Sequence, residues 1–242
     1  MKRGKTVAIR GILFDKDGTI IDYWHTWLPI NRQAAFYAAR GDEALADDLL
    51  RLGGHDPATD RVTPGTPLAA GDFDDIAQAF AAHPSVAPAS ELAAGIERIF
   101  RAGGAEHSAL IDGARATIVE LRRRGFRIGL ATNDSTGGLE ASLAQHHILE
   151  HFDFTAGCDS GYGAKPDPRM ALGFCEAVKV SPGEVAVVGD AVHDLAMGRA
   201  AGVGLTVGVL SGTSEREDLE GHADLILDSI SDMLTLAQFQ MP

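Results

Sequence analysis

Phe14-Asp15-Lys16-Asp17-Gly18-Thr19 closes the short apolar run that begins at Val7. A run of this kind, stopped by charges and a glycine, reads as a buried strand delivered into a turn. Its two aspartates, at i and i+2, leave the strand end on one side. Taken alone, an acidic glycine turn is also an ordinary surface turn, so its surroundings decide. Downstream, Phe126–Ala131, Val185–Val188, Leu205–Val209 and Leu225–Leu227 read as further short strands. Helical patterns cover Asp112–Arg124, Leu139–Gln145, Pro168–Val178 and Leu195–Ala201. The first of these carries Arg122, Arg123 and Arg124 in its last turn and stops at Gly125, both helix-end signals. Strands alternating with helices predict a doubly wound parallel α/β sheet.

One region breaks the alternation. Asp22 to Ile111 offers no strand, only alanine-rich helical pieces at Leu28–Ala39, Glu43–Leu52, Phe73–Ala81 and Ala89–Phe100. A loop rich in proline and glycine separates the second and third of these pieces, from Gly53 to Gly71. The expected organisation is an α/β core of residues 1–21 and 112–242 with an all-α insert at 22–111.

The chain has 242 residues and a formal charge of −13. That acidity argues against nucleic-acid and membrane-surface partners. It does not exclude a small anionic substrate, because a bound cation reverses the local field. The charge is uneven: residues 18–111 hold 6 arginines, 13 acids and no lysine, a balance of −7. The two cysteines, Cys158 and Cys175, form no disulfide framework and suit a reducing compartment. The basic, then apolar start meets Asp15, Lys16 and Asp17, which a secretory signal core does not tolerate. A cytoplasmic location without membrane insertion is expected.

Three further motifs stand near strand ends. Thr132-Asn133 ends the second strand and offers a hydroxyl and amides to an anion, or caps a helix. Lys165-Pro166 follows a glycine-rich stretch, and a lone lysine there is commonly a solvated charge. Asp190 and Asp194 sit in Gly189-Asp190-Ala191-Val192-His193-Asp194 after the third clear strand. Such oxygen donors suit Mg2+, and equally the N-cap of the next helix. In a parallel sheet every strand C-terminus faces one edge. Asp15, Asp17, Thr132, Asp190 and Asp194 should therefore converge there, and their repulsion calls for a cation and a lysine.

The ordered set (paired aspartates with Gly-Thr, strand-end Thr132, Lys165-Pro166, Asp190 with Asp194) resembles the haloacid dehalogenase superfamily, in its phosphoglycolate phosphatase-like branch. The helical insert matches that family's C1-type cap, on a Rossmann-like core. The resemblance implies Asp15 as nucleophile through an aspartyl-phosphate and Asp17 as general acid and base. It implies Thr132, Asn133 and Lys165 on the phosphoryl group. Mg2+ would rest on Asp15, Asp17 through its backbone carbonyl, and Asp190, with Asp194 assisting through water or by holding Lys165. The substrate would be a small phosphorylated metabolite.

Departures from the family pattern also carry information. Lys16 stands where many relatives have an apolar residue; a side chain opposite Asp15 and Asp17 predicts little catalytic effect. Asp134 stands where relatives often have lysine, which bears on substrate contacts. Asp17 argues against dehalogenation. The absence of lysine from 18 to 164 removes any Schiff-base residue for phosphonate cleavage. A β-phosphoglucomutase-type mutase would need a cap cation for a second phosphate, with Arg32, Arg40, Arg51 and Arg61 as candidates. A non-catalytic phosphate-binding module is the third reading. Of the residues after the first motif, Trp27 reads as packing, Trp24 and His25 as either packing or cap wall, and His193 as solvent-facing.

Overall fold

The computed structural model describes residues 8–240. In chain order the elements are β1 (Gly11–Phe14), α1 (Tyr23–Ala38), α2 (Glu43–Leu52), α3 (Pro67–Ala70), α4 (Phe73–Ala81) and α5 (Ala89–His107). There follow α6 (Ala114–Arg123), β2 (Arg127–Ala131), α7 (Thr136–Ala144), β3 (Phe154–Ala156) and α8 (Arg169–Val178). The chain closes with β4 (Val185–Gly189), α9 (Val192–Ala201), β5 (Leu205–Val209), α10 (Arg216–Leu219) and β6 (Leu225–Leu227).

The six strands form one sheet in the order β3-β2-β1-β4-β5-β6, and every pairing is parallel. Alternation along the strands builds two cores. Ile12, Phe14, Ile128, Leu130, Ala186 and Val188 face α6 and α7. Leu13, Val185 and Val187 face α8 and α9. Both faces are covered, which explains why these strands read as continuous apolar runs. The register then sets the carboxyl edge. Phe14 lies beside Leu130 and Val188, so Asp15 emerges level with Ala131 and Gly189, one residue short of Thr132 and Asp190.

The helices of residues 23–107 pack around a separate apolar cluster that includes Trp27, Ile30, Leu49, Phe80, Ile96 and Phe100. Two chain crossings join this bundle to the sheet and pair with each other. Asp22 donates its N–H to Ala109 O at 2.9 Å, and Ile111 donates to Ile20 O at 2.9 Å.

Several elements differ from expectation. β1 begins at Gly11; Val7 lies outside the described residues. α1 starts five residues early, capped by Asp22, which accepts from His25 N at 3.0 Å, and runs through Pro29. α5 continues past Phe100 through Gly103 and Gly104. These glycines admit the neighbouring helix: a Cβ on Gly103 would stand 2.5 Å from Ile30. The proline-rich loop hides α3, a single helical turn. β3, only three residues with a half-exposed pattern, gives no period to read.

Candidate active site

Asp15, Lys165, Asp190 and Asp194 meet at the carboxyl edge of the sheet, all buried. The Asp15 N–H bonds to Val188 O at 2.8 Å, which ties the first residue after β1 to β4. Lys165 arrives from the loop before α8. Its Nζ donates to Asp15 Oδ1 at 2.5 Å, to Asp194 Oδ1 at 2.6 Å and to Ala131 O at 3.2 Å. Asn133 fixes that loop, accepting from Lys165 N at 2.7 Å and donating to Lys165 O at 3.3 Å. Thr132 is buried at the end of β2, and its hydroxyl accepts from Asp134 N at 3.1 Å. The Asp190 carboxylate accepts from Thr213 N at 2.9 Å. Two glycines make room for it: a Cβ on Gly212 would lie 1.9 Å from Asp190 Oδ2, and one on Gly18, whose φ is +81°, 2.7 Å from the same carboxylate.

The electrostatics follow from crowding. Burial pushes the Asp15 carboxyl up; Lys165 opposes this, and Asp194 and Asp17 add to it. Burial, then Asp15 and Asp194, push Asp190 well above the usual carboxylate range. Burial alone would raise Asp194 too, but His193 and Lys165 hold it below. Burial lowers the pKa of His193 in turn.

One carboxylate oxygen from each of Asp15, Asp190 and Asp194 lies within 4.8 Å of the others. Asp15 Oδ2 is buried with no hydrogen-bond partner. An orphaned carboxylate oxygen inside a buried acidic trio is a donor set that a hard divalent cation fits. The Asp17 side chain is engaged elsewhere. It accepts from Trp27 Nε1 at 2.7 Å and pairs with Lys16 Nζ at 3.1 Å. Burial raises its pKa, against the pull of Lys16.

A family comparison now bears on this geometry. The model of the haloacid dehalogenase-like hydrolases matches residues 9–202. The chain belongs to that family. Phosphoglycolate phosphatase of Escherichia coli is 28% identical over 93% of this chain and 91% of its own length. N-acetylmuramic acid 6-phosphate phosphatase of Pseudomonas putida is 27% identical over 92% and 93% respectively. In fold, a predicted phosphoglycolate phosphatase from Haemophilus somnus superposes with a TM-score of 0.74 at 20% identity, over 94% of this chain and 97% of that one. The relatives place this haloacid dehalogenase-like hydrolase with the phosphoric monoester hydrolases.

Three expectations for this hydrolase need correction. Lys16 does not point away from the site. It is fully buried, and its Nζ bonds Asp134 at 2.8 Å as well as Asp17. The two-residue alternation fails because Lys16 is already in a turn, its carbonyl accepting from both Ile20 N and Ile21 N. Trp27 is more than packing, since its indole reaches Asp17. His193 lines the chamber and sits 3.4 Å from Asp194. Trp24 instead stacks edge-on against Tyr23, and His25 is exposed.

A cavity of about 290 Å3 joins these residues to the helical segment. Its far wall comes from α1, α3, α4 and α5, and no sequence period pointed to it. None of Arg32, Arg40, Arg51 and Arg61 lines it. Arg32 is held by Asp60, Arg51 by Asp48, and Arg61 by Glu215. Among the described residues no helix is long and apolar enough to cross a membrane.

Proposed function

We propose that this hydrolase is a Mg2+-dependent phosphatase of a small phosphomonoester, working through an aspartyl-phosphate on Asp15. The observation that carries the reading is the pairing of Asp15 with Lys165 at the floor of the cavity, with Asp15 Oδ2 left without a hydrogen-bond partner. The chain reads as a core of residues 1–21 and 112–242 with residues 22–111 as a cap over the sheet edge.

In the first step an Asp15 oxygen bonds to phosphorus as the bond to the alcohol oxygen breaks. Asp17 gives that alkoxide its proton; a carboxyl raised by burial holds one more readily near neutral pH. In the second step Asp17 takes a proton from water, whose oxygen displaces Asp15 and releases phosphate. Lys165 offsets the charge gathered on nucleophile and phosphoryl oxygens. Thr132 and the amides after β2 orient those oxygens, and Asn133 holds Lys165 in place. Asp15, Asp190 and the Asp17 carbonyl would hold Mg2+, with Asp194 anchoring Lys165. When bound, the ion neutralises developing negative charge on the transferring group. Free Cys158 and Cys175 suit a reducing, cytoplasmic setting.

The test is p-nitrophenyl phosphate hydrolysis. Asp15→Asn and metal chelation should each abolish it, and normal turnover in either case would sink the reading.

A further inference from the structure

The chamber above the aspartates has two unlike ends. At the floor, Lys165 faces the carboxylates. The opposite wall is aromatic and aliphatic. Trp27 and Phe100 stack with centroids 5.7 Å apart at 20°, Phe73 tilts against Phe100 at 5.7 Å, and Leu68 and Ile76 complete the surface.

Apart from Lys165, the charged groups around the rim of this cavity are acids. Asp72, Glu97, Asp134 and Asp159 all line the cavity. Lys16 neutralises Asp134 from below. Glu97 is bridged by Arg101, an arginine that is half exposed and absent from the lining. Among the described lining residues, Lys165 is the one permanently cationic side chain, and Asp15 and Asp194 already hold it. A thiol on the wall registers the same field. Burial, then Asp159, Asp72 and Asp134, push Cys158 up to about 11.

Accepting that the chain is a phosphatase, we infer that the chamber selects phosphomonoesters whose alcohol part is apolar and carries no second negative charge. A carboxylate or second phosphate on the leaving group would meet carboxylates and no free cation, at a desolvation cost nothing repays. An alkyl or aryl body would instead cover the Trp27–Phe100–Phe73 surface and displace water from it. Phosphoglycolate, although it is the substrate in the names of several relatives, is then a poor substrate here.

The experiment compares kcat/KM for benzyl phosphate, phosphoglycolate and glucose 1,6-bisphosphate by phosphate release with Mg2+ present. Benzyl phosphate and phosphoglycolate both release an alkyl alcohol, so the bond broken is of one kind. Benzyl phosphate should be favoured roughly ten- to hundredfold, the size of a like-charge contact in a half-buried site. Asp72→Asn, which keeps the helix cap, should shift the phosphoglycolate-to-benzyl ratio upward by about threefold or more. Equal or faster turnover of phosphoglycolate overturns the inference and leaves the phosphatase reading standing. An unmoved ratio in a folded Asp72→Asn enzyme removes the charge argument. Failure to hydrolyse any of the three, or hydrolysis undiminished by Asp15→Asn, brings down both.

Discussion

Two buried lysines flank the paired aspartates, and they are built alike. Lys165 binds Asp15 and Asp194; Lys16 binds Asp17 and Asp134. Each ammonium bridges one aspartate of the first motif to a carboxylate from elsewhere in the chain, and burial disfavours the charge of each while its carboxylates restore it. In the proposed mechanism their duties differ. Lys165 serves the carboxylate that attacks, where positive charge assists a gathering of negative charge. Lys16 serves the carboxylate that shuttles a proton, where positive charge favours the ionised form. On that reading Lys165 lowers the barrier directly. Lys16 fixes the acid in place and makes it a stronger one.

Breaking the Lys165 side should have the largest effect. Lys165→Met is expected to reduce kcat/KM on the order of a thousandfold, the scale of losing a preorganised charge at a transition state. Lys165→Arg should not rescue it, because a planar fork cannot replace a point charge shared by two carboxylates. Activity within tenfold of wild type would show that the two lysines are equivalent scaffolding.

Lys16→Met should act first on stability. Leaving the part-buried Asp17 and Asp134 without their cation costs about 2 kcal/mol, read as a lower urea midpoint. Adding Asp134→Asn should recover part of that loss, because Asp17 alone then stays without its cation. kcat should fall about tenfold and stay low in the double variant, separating the positioning of Asp17 from the stability of the pair.

Trp27→Phe keeps the stack on Phe100 and removes the N–H that Asp17 accepts. A three- to tenfold fall in kcat, about the net worth of one hydrogen bond, is expected with little change in Tm.

The smallest effect concerns Cys158. A thiol pushed up to about 11 is protonated at pH 8 and gains reactivity only as the pH climbs toward that value. Iodoacetamide labelling should be slow at pH 8 and rise with each added pH unit. Asp134→Asn removes one of the raising carboxylates, so its labelling should be faster at a given pH. Labelling with the pH profile of an ordinary thiol would contradict the acidic wall.

Legibility in the sequence divides along the same lines. Asp15, Thr132, Asp190 and Asp194 could be nominated from residue type and strand-end position, because a parallel sheet gathers its strand ends by geometry alone; Lys165, by itself a solvated-looking charge, is legible only as part of the motif set. Lys16 was misjudged because strand alternation was extended one residue into a turn, where the rule no longer holds. The aromatic wall was not legible. Leu68, Phe73 and Phe100 become neighbours only when α3, α4 and α5 pack, and no local period encodes that meeting. The continuation of α5 through Gly103-Gly104 was lost for a related reason: the glycines serve a neighbouring helix rather than their own.

The bond from Trp27 to Asp17 gives the molecule a built-in optical probe. The chain has two tryptophans, and Trp24 lies off the chamber against Tyr23. In a Trp24→Phe background all indole emission comes from a ring in contact with Asp17. Ligand entry that protonates, recharges or displaces Asp17 then changes that emission directly, so occupancy can be followed in a stopped-flow instrument with no label and no coupled assay.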